Sequence, residues 1–307
     1  MAGKFTEIET GVWAYSSDHG PTSGLIIGED VAMVVDGQAD VALADDFAAC
    51  VAATTDLPVA YVLISHYHAS RWINLDRFVG ASLITTRKCR SSILHRAAIE
   101  ARAAAMREPD LYPEPRLTDI APPRIALTFK SALTVDLGGR RVECIFFGQG
   151  HTGGDAVVWV QDAGVMFTGD LVERGVAPFL GEASFQDWMQ TLDKIAPYRP
   201  AVLVPGRGRP VSGKEAAQSA LAEQRSFVDQ MWRIGSAAAT GCQSVPLVMD
   251  AIDAGAASAW RAMPLWQGRL PFAASRMIEA AHGRNIPQIW TPERVQALRD
   301  ELGLPLS

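Results

Sequence analysis

Two histidines, His66 and His68, follow the apolar segment VAYVLIS at residues 59–65. In an extended chain, residues two apart project to the same side, so both imidazoles can face one point. Neutral imidazole is the commonest protein ligand for borderline divalent metals such as zinc. The spacing therefore indicates a metal site just beyond a buried strand.

Three more fragments place chemically useful side chains where an apolar segment ends. His151 lies in FFGQGHTGGD, whose glycines would let the backbone approach whatever the imidazole binds. Asp170 closes the segment VMFTGD, and Arg207 stands between two glycines in AVLVPGRG. We predict that these groups join His66 and His68 at one site. The other histidines are interpreted as structural; they are His19, His95 and His282.

The segments between these fragments predict strands alternating with helices. Hairpins are expected at Gly28-Glu29-Asp30 and at Asp162-Ala163-Gly164. Residues 87–107 and most of the chain beyond Asp170 predict helices, of which one long helix would open at a Ser212 capping box. The proline-rich residues 109–124 predict an irregular loop. This order favours an α/β sandwich with the sheets inside and the helices outside.

The order His-x-His, Gly-His-Thr-x-Gly, Thr-Gly-Asp, Val-Pro-Gly-x-Gly resembles that of the metallo-β-lactamase superfold of hydrolases. The resemblance implies a four-layer αβ/βα sandwich with its metal centre at the edge of two packed sheets. It suggests a core over residues 1–210 and a helical C-terminal extension over residues 211–307. The sequence is also similar to a narrower bacterial subgroup that carries SHYHA-x-R, GHT-x-GD, GDLVE and VPGRG.

The sequence departs from the family pattern at three metal-ligand positions. The family carries His-x-His-x-Asp-His and one more histidine in the last motif, where this chain has Ser70, Arg71 and Arg207. The resemblance implies that the first metal site survives, with the ligands His66, His68 and His151. Of the second site it leaves only Asp170, which bridges both ions in the family.

The arginine substitutions change the chemistry expected at the second site. Arginine stays protonated and holds carboxylate or phosphate through a planar fork. We therefore predict a mononuclear centre beside Arg71 and Arg207. These two side chains would bind an anionic substrate or stabilise an oxyanion, or else they would only plug the vacant metal site.

A metal-dependent hydrolase is the function we expect. One divalent ion on three imidazoles can activate water against an ester, thioester, lactone or amide bond of a small, anionic substrate. Zinc is the expected ion, with iron or manganese as alternatives. Asp170 would ligate the ion, orient the water or act as general base. Asp36 would orient a ligand histidine or only end a turn, and Asp155 would cap backbone or reach the pocket.

Two other functions stay open from the sequence. His66, His151 and Asp170 could form the two-histidine, one-carboxylate triad of non-haem iron, as in the persulfide dioxygenases of similar fold. Alternatively, the protein could be a non-catalytic binding protein of the same fold. Metal content and the effect of replacing His66 would separate these options.

Composition limits the partners. The net charge of -6 and the pI near 5.5 argue against nucleic-acid binding, and no apolar segment is long enough to cross a membrane. The four scattered cysteines and the absence of signal-peptide features near the first residue predict a cytoplasmic protein. A small molecule is the expected partner, and the helical tail could serve as a homodimer surface.

Overall fold

The computed structural model describes residues 3–112 and 120–303. Two mixed β-sheets form the centre of the described structure. The first sheet consists of β1 (Lys4–Glu9), β2 (Val12–Ser16), β3 (Ser23–Ile27), β4 (Ala32–Val35), β5 (Val59–Leu63), β6 (Ser82–Thr86) and β7 (Ile125–Phe129). The second consists of β8 (Ala132–Asp136), β9 (Arg141–Ile145), β10 (Val157–Val160), β11 (Val165–Phe167), β12 (Val202–Val204) and β13 (Val211–Ser212).

The first sheet follows chain order from β1 to β7, antiparallel as far as β4 and parallel from there on. The second runs in the order β13-β12-β11-β10-β9-β8, and only β11 and β12 are parallel neighbours. Both predicted hairpins are confirmed, since β3 pairs with β4 and β10 pairs with β11 in antiparallel register.

The helices are α1 (Val41–Thr54), α2 (Arg87–Arg107), α3 (Phe185–Ile195), α4 (Lys214–Ala239), α5 (Val245–Gly255), α6 (Ser258–Arg261), α7 (Trp266–Ala281) and α8 (Pro292–Glu301). Thr291 Oγ1 accepts a hydrogen bond from the backbone N–H of Arg294 at 3.2 Å, as an N-cap does. The Ser212 capping box is wrong. Ser212 belongs to β13, and Gly213, with a φ of 100°, precedes α4 without a side-chain cap.

Three hydrophobic clusters separate the layers of a four-layer α/β sandwich. Leu63 and Val158 belong to the cluster between the sheets. Phe47 of α1 and Ile93 of α2 pack on the outer face of the first sheet. Trp188 of α3 lies in the cluster that covers the second sheet. The predicted fold class is confirmed.

The cluster on the second sheet continues into the C-terminal helices. Leu221 of α4, Val248 of α5 and Met277 of α7 are buried together with Trp188. The helices after residue 210 thus extend the outer layer of the sandwich, and the domain boundary at that residue stays a prediction. None of the described helices is long and apolar enough to cross a membrane.

Candidate metal centre

The predicted site residues meet at one edge of the two sheets. His66 and His68 follow β5 of the first sheet. His151 lies in the connection between β9 and β10, Asp170 follows β11, and Arg207 follows β12. Because β11 and β12 are parallel, the residues after them emerge side by side. Strands from both sheets therefore deliver side chains to one place.

Two glycines let the chain turn tightly beneath the site. Gly169 adopts a φ of 52°, and a Cβ at this position would lie 2.9 Å from the Cβ of Ser65. A Cβ on Gly206 would lie within van der Waals overlap of the Asp170 carboxylate, 2.1 Å from Oδ1. Larger residues would displace Asp170, so the Thr-Gly-Asp and Pro-Gly motifs are explained by close backbone approach.

Three imidazole nitrogens converge on one point. His66 Nε2 lies 3.2 Å from His68 Nδ1, and His151 Nε2 lies 3.0 Å from the same atom. Both histidines after β5 lie beyond the end of the strand, and they present different ring nitrogens. Asp170 Oδ2 is 3.5 Å from His66 Nε2 and 3.6 Å from His151 Nε2.

The second nitrogen of each imidazole faces an oxygen. Ser65 donates its hydroxyl proton to Asp36 Oδ2 at 2.6 Å, so its oxygen is free to accept from His66 Nδ1 at 3.0 Å. This relay leaves the lone pair of His66 on Nε2, toward the centre. His68 Nε2 lies 3.5 Å from Glu182 Oε2.

His151 has the loosest of these outer contacts. Its Nδ1 lies 4.0 Å from Glu173 Oε1 and is buried without a hydrogen-bond partner among the described residues. A carboxyl group therefore lies behind each ring, directly or through Ser65, which is the usual arrangement around metal-bound imidazoles.

Burial keeps the three imidazoles neutral. Desolvation lowers the pKa of His66 and of His68 well below the ordinary value, although Asp170 opposes the shift at His66. Desolvation likewise lowers the pKa of His151 to about 4. Uncharged rings with lone pairs are the form in which histidine binds a cation.

The donor set fits a divalent metal ion. Ligands about 2.1 Å from a tetrahedral ion are roughly 3.4 Å from one another. The nitrogen–nitrogen and nitrogen–oxygen separations of 3.0 to 3.6 Å lie close to this value. All four donor groups are buried, and their ligand atoms lie within 4.8 Å of one another. A cation at this point would relieve the repulsion among three converging lone pairs.

Arg71 and Asp170 form a buried ion pair beside the histidines. Arg71 Nη2 contacts Asp170 Oδ1, and Nη1 donates to the Gly206 carbonyl at 3.0 Å and lies 3.5 Å from Asp36 Oδ2. Burial by itself would raise the pKa of Asp170, but the guanidinium groups of Arg71 and Arg207 hold it far below the ordinary range. Asp170 is therefore an anion throughout the neutral pH range.

Arg207 lies on the opposite side of Asp170, within a second buried ionic cluster. Its Nη1 donates to the His19 carbonyl at 2.7 Å, and its Nε lies 3.4 Å from Glu173 Oε2. Arg269 of α7 bonds the same Glu173 oxygen at 2.7 Å and bonds Glu108 Oε1 through Nε at 2.7 Å. A helix from the C-terminal extension therefore contributes to the site.

The cavity at the centre is narrow. Its volume is about 10 Å³, which is room for about one water molecule. It is lined by His68, Arg107, Glu108, Tyr112, His151, Asp170, Phe179, Arg207 and Arg269. Arg71 is not part of this lining, so the two arginines at the family's ligand positions have different surroundings.

The structure distinguishes between the alternative roles that the sequence allowed for Asp36 and Asp155. Asp36 acts through Ser65 on His66, as the positioning alternative proposed. Asp155 accepts hydrogen bonds from the backbone N–H and the hydroxyl of Thr152 and does not line the cavity. It therefore braces the turn that carries His151. Of the proline-rich loop at 109–124, residues 113–119 lie outside the described part of the chain.

Sequence reasoning missed several residues of the site. These are Arg107, Glu108, Tyr112, Phe179, Glu182 and Arg269, together with Glu173. Glu173 lies three residues after Asp170 in GDLVE, so its place in the motif was an available signal. The others lie in helices and loops outside the four motifs, and no local spacing distinguishes them.

The fold and the metal-ligand cluster together define the family. A model of the metallo-β-lactamase superfamily matches residues 17–207, and the chain belongs to this superfamily. The chain is similar to a metallo-β-lactamase type 2 of Bacteroides fragilis, with 34% identity over 85 residues, 26% of this chain and 34% of that protein. The match thus spans about a third of that relative. A metallo-β-lactamase type 2 of Bacillus sp. (strain 170) is 27% identical over 66% of this chain and 72% of its own length.

Solved structures show the same fold. A metallo-β-lactamase from Pontibacter korlensis matches with a TM-score of 0.58 and 19% identity, covering 74% of this chain and 99% of that one. The inverting sec-alkylsulfatase Pisa1 of Pseudomonas sp. matches with a TM-score of 0.70 and 12% identity, over 91% of this chain and 50% of that one. The second likeness covers more of this chain than the first.

Proposed function

We propose that this protein is a hydrolase with a mononuclear metal centre, held by His66, His68 and His151. The proposal rests on the contrast between the positions of the family's first and second metal ions. At the first position, three neutral imidazoles converge on a point. At the second, the Arg71 guanidinium lies between Asp170 and Asp36. A cation fits the first place, whereas a second cation beside Arg71 would meet a fixed positive charge.

A divalent ion at the histidines supplies Lewis acidity, which lowers the pKa of water and polarises a carbonyl. Zinc is the ion we propose. The side chains of the protein would orient the attacking water. Asp170 Oδ1 is engaged by Arg71, so Oδ2, which faces the imidazoles, is the atom left to accept a hydrogen bond from the attacking water. Because the pKa of Asp170 is held so low, it orients water better than it removes a proton.

The two arginines divide the tasks that the sequence left open. Arg71 is fully buried and lies away from the cavity, which supports a structural role in fixing Asp170. Arg207 lines the cavity, which supports contact with an anionic substrate. An ester, thioester, lactone or amide of a small acid is the substrate class that we propose.

Metal analysis tests the proposal directly. Protein purified without added metal should contain about one equivalent of a divalent ion, removable by chelator, and metal-dependent turnover should appear in a panel of the four bond types. His66→Ala should lose both metal and turnover, while His95→Ala, outside the cluster, should retain both. Two equivalents at the centre, or turnover that survives chelation, would contradict the proposal.

The iron-dependent alternative makes a different prediction for the same sample. An iron triad of His66, His151 and Asp170 does not require His68, yet His68 Nδ1 lies within 3.2 Å of both other ring nitrogens. Its position favours the three-histidine centre. Iron as the native metal together with oxygen consumption would favour the alternative.

We also propose that the protein belongs to the variant subgroup with arginine at the second-site positions. We expect it to act in a bacterial cytoplasm, with a small molecule as its partner. Homodimer formation through the helical extension is a separate expectation, and sedimentation of the purified protein would test it.

A further inference from the structure

Arg107, the last residue of α2, lines the metal cavity with a guanidinium group that is ion-paired with Glu100 through one of its nitrogens. Its Nη2 donates to Glu100 Oε1 at 2.8 Å, and the side chain is 6% exposed. Its Nη1 is buried and has no hydrogen-bond partner within residues 3–112 and 120–303. A buried charged donor without a partner is costly, so this nitrogen is poised to bind an acceptor that enters the cavity.

An anion is the acceptor that suits this nitrogen best, because a guanidinium group is positively charged and can only donate hydrogen bonds. Three guanidinium groups line the cavity, from Arg107, Arg207 and Arg269, beside the acidic residues Glu108 and Asp170. Glu100 and Glu173 contact these arginines from outside the lining, and a divalent ion at the histidines would add positive charge to it.

The three arginines differ in how far their donors are used. Arg269 is saturated, because it bonds Glu108, Glu173 and the carbonyl oxygen of Ala177. Arg207 Nε, like Arg107 Nη1, is buried without a hydrogen bond among the described residues. Among the three arginines, the nitrogens without a hydrogen bond to a described residue are therefore on Arg107 and Arg207.

Phe179 places the Arg107 group next to the metal ligands. The Arg107 guanidinium carbon lies 5.3 Å from the centre of the Phe179 ring, and the His68 ring lies 5.7 Å from the same centre. Arg107 and His68 also line the same cavity, so a group bound at Arg107 would share that cavity with the proposed metal ligands.

We propose that Arg107 Nη1 receives an oxyanion of the substrate, a carboxylate, sulfate or phosphate group, with Arg207 Nε as the second donor. The inference rests on the proposed function for its substrate, and it adds a recognition residue outside the family motifs. Because the cavity has room for about one water molecule, the lining side chains move apart when the anion enters.

Calorimetric titration with small anions tests the inference. Metal-loaded protein is titrated with sulfate and with acetate, and neutral acetamide serves as the uncharged control. Arg107→Met should weaken binding of both anions about ten-fold or more, the usual loss for a charge-assisted hydrogen bond. Arg102→Met, an exposed change on the same helix, should bind the anions as the unchanged protein does. Equal affinity in Arg107→Met, no anion binding by the unchanged protein, or equal binding of acetamide overturns the inference.

Arg107→Met also leaves Glu100 buried without its partner, so folding needs its own control. The double variant Glu100→Gln/Arg107→Met removes both charges and should show the same loss of anion binding. A crystal of the metal-loaded unchanged protein soaked in selenate gives an independent result. Anomalous density at Arg107 Nη1 supports the inference, and density elsewhere in the cavity or none at all overturns it.

The same experiments separate this inference from the proposed hydrolase. If the protein binds anions through Arg107 but shows no turnover, the anion site is supported and the proposed hydrolase function is contradicted. If turnover depends on metal but Arg107→Met changes neither KM nor kcat, the hydrolase function is supported and the anion site is contradicted.

Discussion

The guanidinium of Arg71 lies directly against the carboxylate of Asp170, and both side chains are shielded from solvent. The other end of the same guanidinium is 3.5 Å from Asp36 Oδ2. One arginine thus links the carboxylate that faces the three imidazoles to the one that orients His66 through Ser65. The cation that pairs with these two acidic residues is therefore a side chain of the protein, which, unlike a bound metal ion, cannot leave the site.

Removing this guanidinium should destabilise the protein strongly. Arg71→Met leaves two buried carboxylates without their cation, so we expect a loss of about 3–5 kcal/mol in the free energy of unfolding. Urea denaturation at neutral pH measures it. Arg77→Met, which breaks ion pairs with the exposed Asp45 and Asp76, should cost less than about 1 kcal/mol. Similar losses in the two variants would contradict the importance given to Arg71.

Glu182 should strengthen metal binding by orienting His68. Its Oε2 lies 3.5 Å from His68 Nε2, on the side of the ring away from the centre. Removal of such an outer partner typically weakens metal affinity about 10–100-fold, and we expect that range for Glu182→Leu. Competition with a fluorescent chelator measures the affinity. Glu223→Leu, at an exposed ion pair with Arg174, is the control. An unchanged affinity in Glu182→Leu would show that the packing around His68 suffices.

Asp170 should affect turnover more than metal content. If it orients the attacking water, Asp170→Asn should lower kcat by about 10²–10⁴ on any substrate that the activity panel identifies. The same variant should retain most of its metal, because three imidazoles remain. Metal analysis and kinetics on one preparation separate the two roles. Loss of the ion in parallel with activity would instead identify Asp170 as an essential ligand.

The stability of the protein should depend on the ionisation of Asp155. Burial raises the pKa of Asp155 to about 7, although its hydrogen bonds from Thr152 oppose the shift. A raised pKa in the folded state means that the contribution to stability is complete below the unfolded value near 4 and is lost as the pH rises through 7.

Comparison with an amide variant isolates this effect. The unchanged protein should lose about 2–3 kcal/mol between pH 5 and pH 8 relative to Asp155→Asn, whose amide does not titrate. Urea denaturation of the metal-free proteins at the two pH values gives the difference. Parallel pH dependence in both proteins would mean that Asp155 is already ionised at pH 5.

The sequence anticipated most of the fold. Helix α2 covers the predicted residues 87–107, and both hairpins turn at the predicted residues. Local spacing and turn chemistry decide such elements, because the atoms concerned are close along the chain. The Ser212 cap failed for a tertiary reason. Pairing of Ser212 with Val202 in the sheet holds it in β13, so it cannot cap α4.

The motifs by themselves located His66, His68, His151 and Asp170, because each follows an apolar segment and has its own glycine or spacing signal. The tertiary structure alone decided which donors are paired and which are not. Arg71 and Arg207 both replace family ligands, yet Arg71 is buried against Asp170 outside the cavity lining, whereas Arg207 lines the cavity.

The groups that complete the site come from distant parts of the chain. Arg269 reaches Glu108 across 161 residues, and Arg207 reaches the His19 carbonyl across 188. Charge pairing at such separations leaves no periodic trace in the sequence, because it depends on where whole layers pack and not on neighbouring residues. The sequence determined that a cation can bind here, and the packing of the two sheets and α7 determined which charges surround it.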